Sequence, residues 1–372
     1  MNPLTDRRFF IATEQDILDG RTTDVYFART LEILKAKGLM DIRTAAEITV
    51  SRLPRDWKWG VYCGLEEVLR LLEGKDIDVW GLPEGTLFPA RTQSGIKLPL
   101  MTIEGAYSQY CLHETPLLGM LSHSSGVATM AARCRVAAGD LPIFSFGVRR
   151  AHPAIAPMVD RSSFIGGCDG VSSILGAEML GRPANGTMPH ALIIMIGDSV
   201  EAFKAFDEVM GPEVPRIVLA DTFSDEKTEA IAAADAIDLY GVRLDTPGSR
   251  RGDFCDIVRE VRWELDVRGH KDVKLILSGG LNEVTIPPLV RAGLVAPSGL
   301  ALPLASVFVV AMGFGIVLPV LPFFLARVLG AGENESIAWH TGLLTAAYMF
   351  SLFLFAPFWG RVLPRRRSPG AR

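Results

Sequence analysis

The chain lacks charge where a soluble protein would normally carry it. No Asp, Glu, Lys or Arg occurs from Ala292 to Ala326, nor from Thr341 to Gly360. Uncharged runs of that length read as two membrane-spanning helices rather than buried core helices. It also lacks paired cysteines. The five (63, 111, 134, 168 and 255) are scattered with no C-x-x-C spacing, which excludes zinc-ribbon sites and fits a reduced compartment. Met1 to Asp16 is charged and has no apolar centre, so no signal peptide is expected there. A basic surplus is missing as well. The chain is −4 overall, and the segment from Gly299 holds six Arg against two Glu, so the preceding residues carry −8. That balance argues against a general nucleic-acid surface.

What is there, before residue 293, is an alternation of short apolar runs and helical segments. Thr23-Asp24 can cap a helix with Phe27, Leu31 and Leu34 on one face, ending at Gly38. Gly64 to Leu72 suggests a second helix, and Ile96 to Glu104 resembles strand. Glu114 to Leu121 leads into a small-residue helix, Ser124 to Ala138. Four apolar runs then read as buried strands: Leu192–Ile196, Arg216–Ala220, Asp238–Leu244 and Lys274–Leu277. The helices between them span Val200–Val209, Asp225–Ala234 and Gly252–Arg268. Strands and helices in this rhythm predict a parallel α/β barrel whose strand carboxyl ends build the site. Asp198, Asp221, Asp245 and Ser278 all fall at such ends in this reading.

Several constellations carry chemistry. Phe146-Gly147-Val148-Arg149-Arg150 offers two adjacent guanidiniums, which suit a carboxylate or phosphate but also an ordinary solvated turn. Gly166-Gly167-Cys168-Asp169-Gly170 is a glycine-rich turn opening a helix, a weak phosphate-binding signal on its own. Gly186-Thr187-Met188-Pro189-His190 puts a lone histidine before an apolar run, where it serves structure more often than catalysis. Asp245 to Asp253 combines carboxylates, a turn, Arg250 and Arg251. These suit ribose hydroxyls, hydrated Mg²⁺ and phosphate, although Asp253 fits equally well as a first-turn residue favoured by the helix dipole. Ser278-Gly279-Gly280 supplies small residues and free amides.

Taken in order, TDVYFARTLEILKAKG, ETPLLGML, FGVRRAHP, GGCDGVSSILGAEMLG, GTMPHALI, VLADTFSDEKTEA, GVRLDTPGSRRGDF and LILSGGLNE resemble the nicotinate phosphoribosyltransferase family over about residues 5–293. The resemblance implies an α+β domain over 1–113 and an incomplete TIM-like phosphoribosyltransferase barrel over 114–293. It implies transfer of a 5-phosphoribosyl group from phosphoribosyl pyrophosphate to nicotinate, giving nicotinate mononucleotide for NAD biosynthesis. ATP hydrolysis would be coupled through a phosphohistidine at His190, which reverses the structural reading of that residue. Tyr26 would stack on the pyridine ring, and Arg149 and Arg150 would hold pyrophosphate or the nicotinate carboxylate. Asp169 and Thr187 would join the substrate site, Asp245 and Asp253 would face ribose or Mg²⁺, and Ser278, Gly279 and Gly280 would approach the 5′-phosphate. The enzyme part would be cytoplasmic and homo-oligomeric. Quinolinate phosphoribosyltransferase, which shares the fold, is the rival reading, disfavoured because the GTMPH histidine belongs to the ATP-coupled branch.

After residue 293 the family's further barrel strand, phosphate loop and C-terminal segment are not seen. Residues 294–372 instead resemble the first two helices of a major facilitator transporter. Two helices cannot form an alternating-access pathway, so transport by this chain alone is not expected. If the join is real, the tail would be a membrane anchor. If it is a frameshift, the chain would be a barrel without its end, or an inactive remnant.

Overall fold

In a computed structural model, residues 7–249 and 251–291 are described. The leading part holds helices α1 (Glu14–Leu18), α2 (Val25–Ala36) and α3 (Leu65–Leu72) with strands β1 (Arg43–Thr49), β2 (Gly60–Val61), β3 (Ile77–Gly81), β4 (Leu87–Phe88) and β5 (Pro99–Ala106). Its main sheet is antiparallel with order β1-β5-β3, Arg43 facing Ala106 and Ile77 facing Gly105. Alternate β5 residues Met101 and Ile103 point into a core shared with Val68, Leu71 and Leu72 of α3. Leu117 and Leu121 complete that core from α4, one unbroken helix over Glu114–Ala138. Its small residues let neighbours approach closely: Ala128 and Ala131 sit directly against Gly166.

The rest alternates strand and helix: β6 (Phe144–Ser145), α5 (Ala156–Ile165), β7 (Gly170–Val171), α6 (Ile174–Met179), α7 (His190–Ile196), α8 (Ser199–Val209), β8 (Ile217–Ala220), α9 (Glu226–Ala236), β9 (Gly241–Leu244), α10 (Phe254–Val267), β10 (Lys274–Leu277) and α11 (Ile286–Arg291). Strands β6 and β7 are parallel, as are β10, β9 and β8 in that spatial order. Gly241 pairs with both Ile217 and Lys274, and Leu244 with both Ala220 and Leu277. The three strands therefore finish in step. The residues that follow them (Asp221, Asp245 and Ser278) emerge along one edge, as parallel α/β architecture requires of a site. Val218, Leu219, Val242, Val258, Leu265 and Phe203 form the buried core behind that edge.

One expected strand is absent. The run Leu192–Ile196 belongs to α7, entered from Pro189 in extended conformation and closed by Gly197 at φ 89. A short apolar run does not distinguish strand from helix, and here a glycine able to take positive φ ends two helical turns. Only Ile193 is buried; Ile194, Met195 and Ile196 face outward. Asp198 consequently ends no strand and instead caps α8, accepting from the Glu201 amide at 2.9 Å. The apolar stretches 292–326 and 341–360, read above as membrane spans, lie outside the described residues. Among the described residues no helix is long and apolar enough to cross a membrane.

His113 gives the fold an acid-sensitive point. It is buried with Nε2 3.0 Å from the Leu18 carbonyl, while Nδ1 has no partner among the described residues. Burial holds its pKa below the ordinary histidine value. The unfolded chain thus takes up the proton first as pH falls below about 6.5, and stability drops through that window. Chemical denaturation at pH 7 and pH 5 should show His113→Gln losing less stability between the two than the native chain. An equal loss would remove His113 from the acid response.

Candidate active site

The site starts from a buried carboxylate. Glu229, on the first turns of α9 and 2% exposed, accepts hydrogen bonds from the amides of Asp221 (2.7 Å), Thr222 (2.9 Å), Phe223 (2.9 Å) and Ser224 (3.3 Å) and from the Ser199 hydroxyl (2.7 Å). Burial alone would raise its pKa, but the bonds from Asp221, Ser199, Thr222 and Phe223 bring it below the usual carboxylate range. A stable anion therefore draws the chain after β8 into a tight turn. The turn holds Asp221 at φ 138, a conformation costing about 1–3 kcal/mol for a non-glycine residue. Net gains of about 1.5–3 kcal/mol per hydrogen bond to a charged group are enough to hold it there.

That turn presents two side chains to His190, the first residue of α7. Thr222 Oγ1 lies 3.0 Å from His190 Nδ1, and Asp221 Oδ1 lies 3.7 Å from Nε2. The Asp221 side chain is 6% exposed, and its Oδ1 has no hydrogen-bond partner among the described residues. The Thr246 hydroxyl stands between two carboxylates, 2.9 Å from Asp221 Oδ2 and 2.5 Å from Glu226 Oε1. One hydroxyl proton cannot serve both at once. Burial, followed by Asp245 and Glu226, pushes the Asp221 pKa up against the opposing effects of Thr246 and His190.

Beside this acidic group sits a half-buried cation. Arg243 projects from the middle strand β9, 3.4 Å from the Met188 carbonyl and 3.6 Å from Asp245 Oδ2, and its Nε has no partner among the described residues. Burial lowers its pKa, Asp245 and Asp221 oppose that, and Arg149 adds to the lowering. Arg149 and Arg150 follow the carboxyl end of β6, both exposed and without an ion pair among the described residues. Ser278 Oγ donates to Asp245 Oδ1 at 2.8 Å, and Gly279 turns at φ 89 where a Cβ would stand 3.2 Å from the Asp245 carbonyl. Gly280 follows at φ 82 with open space around it. Thr187, half-buried, adjoins this group through the GTMPH segment.

His190, Asp245, Ser278, Gly279 and Gly280 thus gather along one edge, while Thr187 precedes His190 in the chain and Arg149 and Arg150 lie in the turn after β6. Three expected site residues do not join them. Asp253 caps α10, accepting from the amides of Cys255 (2.7 Å) and Asp256 (3.3 Å), so its carboxylate is committed to the helix end. Asp169 lies at the amino end of β7, bound to the Arg135 guanidinium and, at 2.8 Å, to the Ile143 amide. Tyr26 is exposed on α2, its hydroxyl 3.4 Å from Asp24. Arg251 folds back onto the Thr246 carbonyl at 2.6 Å and over the Phe254 ring instead of facing the site. Arg243, Thr222, Thr246, Glu226 and Glu229 were not singled out in the sequence. The one available signal was the charged Arg243 inside an otherwise apolar strand. Among the described residues no set of three His, Cys, Asp or Glu could hold a metal by itself.

Asp221 yields a stability test. Its raised pKa means the folded state disfavours the ionised form, so this group costs stability as pH rises past the ordinary carboxylate range. Asp221→Asn keeps the shape and tolerates the backbone. It should melt roughly 2–4 °C higher at pH 7, the shift expected of about 1 kcal/mol in a chain this size, with the gap closing near pH 4. A lower melting temperature at pH 7 would show the carboxylate to be net stabilising.

Comparison with known proteins places the chain in a family. The family model for the quinolinate phosphoribosyl transferase N-terminal domain matches residues 24–125, and that for the C-terminal domain matches 127–307. The crystal structure of nicotinate-nucleotide pyrophosphorylase from Pyrococcus furiosus is 55% identical with TM-score 0.73, covering 77% of this chain and 72% of that one. The structure of human nicotinic acid phosphoribosyltransferase shares the fold at 22% identity and TM-score 0.58, over 73% of this chain and 71% of that one. Nicotinate phosphoribosyltransferase from Bacillus subtilis is 29% identical over 305 residues, 73% of this chain. One from Mycobacterium tuberculosis is 33% identical over 234 residues, 61% of this chain. The chain spans 60% and 48% of the lengths of these two curated relatives. The chain belongs to the quinolinate and nicotinate phosphoribosyltransferase family, and residues 24–307 carry its two domains in order.

Proposed function

We propose that this chain makes nicotinate mononucleotide, in NAD biosynthesis, by transferring the 5-phosphoribosyl group of phosphoribosyl pyrophosphate to nicotinate, with ATP hydrolysis driving the step. The observation that carries this reading is His190 set between Thr222 and Asp221, on the same edge as the Arg243–Asp245 pair. Arg243, half-buried with an Nε that has no partner among the described residues, and the exposed Arg149 would each take an anion as partner. Pyrophosphate and the nicotinate carboxylate both meet that need. The amides of Gly279 and Gly280, next to Asp245, would meet the 5′-phosphate.

Asp221 across from Nε2 favours the His190 tautomer that carries its proton there, leaving the Nδ1 lone pair as the nucleophile. Nδ1 attacks the γ-phosphorus of ATP, the P–N bond forms and the bond to the ADP oxygen breaks. Thr222 marks the position of the incoming group. Phosphoribosyl transfer itself passes through an oxocarbenium-like state, which depends on a held leaving group and fixed charge rather than a strong nucleophile. Asp245, with Asp221 behind it, would hold the Mg²⁺ that accompanies phosphoribosyl pyrophosphate. Such an ion would neutralise the leaving pyrophosphate and take most of its ligands from phosphate and water.

Incubation with ATP labelled at the γ-phosphate should give acid-labile label on the native chain and none on His190→Ala. Equal labelling of the variant would remove the phosphohistidine. Arg243→Ala and Arg149→Ala should each weaken phosphoribosyl pyrophosphate or nicotinate binding by about 2–5 kcal/mol, the range for removing one partner of a desolvated charge pair. The quinolinate reading, which the domain models also accommodate, predicts CO₂ release from quinolinate without ATP. That result would replace nicotinate as substrate.

We propose further that residues 299–360 cross a membrane twice. Arg361, Arg365, Arg366, Arg367 and Arg372 would stay on the cytoplasmic side with the enzyme. The full chain should then sediment with membranes and need detergent, and its recovery in the soluble fraction would refute the anchor.

A further inference from the structure

The turn after β10 is held on two sides. On the sheet side, the Ser278 amide donates to the Leu244 carbonyl at 2.9 Å, and its hydroxyl donates to Asp245. Beyond the two glycines, Asn282 Oδ1 accepts from the amides of Val284 (2.8 Å) and Thr285 (3.1 Å), starting α11. Between these comes Glu283, whose side chain is 11% exposed. Its Oε1 accepts from Arg55 Nη1 at 3.3 Å and lies 3.9 Å from Arg133 Nε. The Arg133 guanidinium, from α4, lies over both Trp57 (4.6 Å) and Trp59 (5.1 Å). Arg55 reaches Glu283 from a segment where it and Asp56 take left-handed backbone, at φ 52 and 54. No step of the proposed reaction uses these residues.

This arrangement answers a physical need. Two successive glycines at φ 89 and 82, with open space around the second, give a turn little rigidity of its own. Backbone amides bind phosphate well only when their direction is set beforehand. A free carboxylate three residues from Gly280 would also repel a phosphate bound there. Pairing Glu283 with two guanidiniums, one of them stacked on indole rings, turns the negative charge away and anchors the loop on a rigid helix.

We propose that Glu283 is the positioning residue of this turn: clamped by Arg55 and by the Trp57–Arg133–Trp59 stack, it fixes the Gly279 and Gly280 amides for the phosphate of the phosphoribosyl substrate. The proposal rests on the reaction assigned above.

The test uses the full chain and Glu283→Gln, with Arg133→Lys as a milder variant that keeps charge but loses the planar stack. Hydrogen exchange at the amides of 278–283 should speed up tenfold or more in Glu283→Gln and by a smaller factor in Arg133→Lys. The KM for phosphoribosyl pyrophosphate should rise at least tenfold, while the KM for nicotinate and ATP-dependent labelling of His190 stay within twofold. If Glu283→Gln unfolds outright, Arg133→Lys carries the test. Exchange at 278–283 unchanged in variants that fold overturns the clamp. Both KM values and kcat changing in parallel would reduce it to a purely structural contact and overturn the positioning role. A native chain that binds neither nicotinate nor phosphoribosyl pyrophosphate, with amides still loosened in the variants, overturns the assigned reaction and leaves the clamp standing.

Discussion

The site depends on one buried anion. Glu229 gathers four consecutive backbone amides and a hydroxyl around its carboxylate, and the turn it creates gives Asp221 and Thr222 their directions. Without that anion the chain leaving β8 has no reason to adopt the φ of Asp221, and His190 faces nothing. The arrangement places strain and charge together, with the cost of an unusual backbone met by charge-assisted hydrogen bonds inside the fold. It also separates the roles of two acids eight residues apart. Glu229 is satisfied and held low, whereas Asp221 is buried, short of partners and pushed up.

The parallel sheet supplies the second constraint. Strands that finish in step bring Asp221, Asp245 and Ser278 to one line although they are far apart in the chain. Arg243 lies on the middle of these strands, so it faces Asp245 from within the edge. Opposite charges thus alternate across a small area. That pattern suits a substrate with phosphate at one end and a carboxylate-bearing ring at the other.

Much of this was legible in the sequence. The strands Ile217–Ala220, Gly241–Leu244 and Lys274–Leu277 and the helices between them follow from apolar runs ended by Asp, Ser or Gly, because burial on both faces leaves no other pattern available. Asp245 and Ser278-Gly279-Gly280 could be singled out because acidic and small residues close those strands, whereas His190 was singled out by the family resemblance. The run Leu192–Ile196 reads as a strand yet folds as a helix, since five apolar residues satisfy either period. Its helical state comes from Gly197 and from which single residue, Ile193, finds the core.

The sequence by itself determined the order of elements, the family resemblance and the identity of the polar residues at the strand ends. Those are properties of neighbouring residues and of periodicity. Only the tertiary structure decided which polar residues were already committed. Asp253 and Asp169 carry the same carboxylate as Asp245 and stand in motifs as suggestive. Yet a helix end takes one, and Arg135 with the Ile143 amide takes the other. Glu229 and Arg243 gave no comparable signal. Their importance comes from partners brought close by strand register and helix placement, and a hydrogen bond depends on distance in space rather than along the chain.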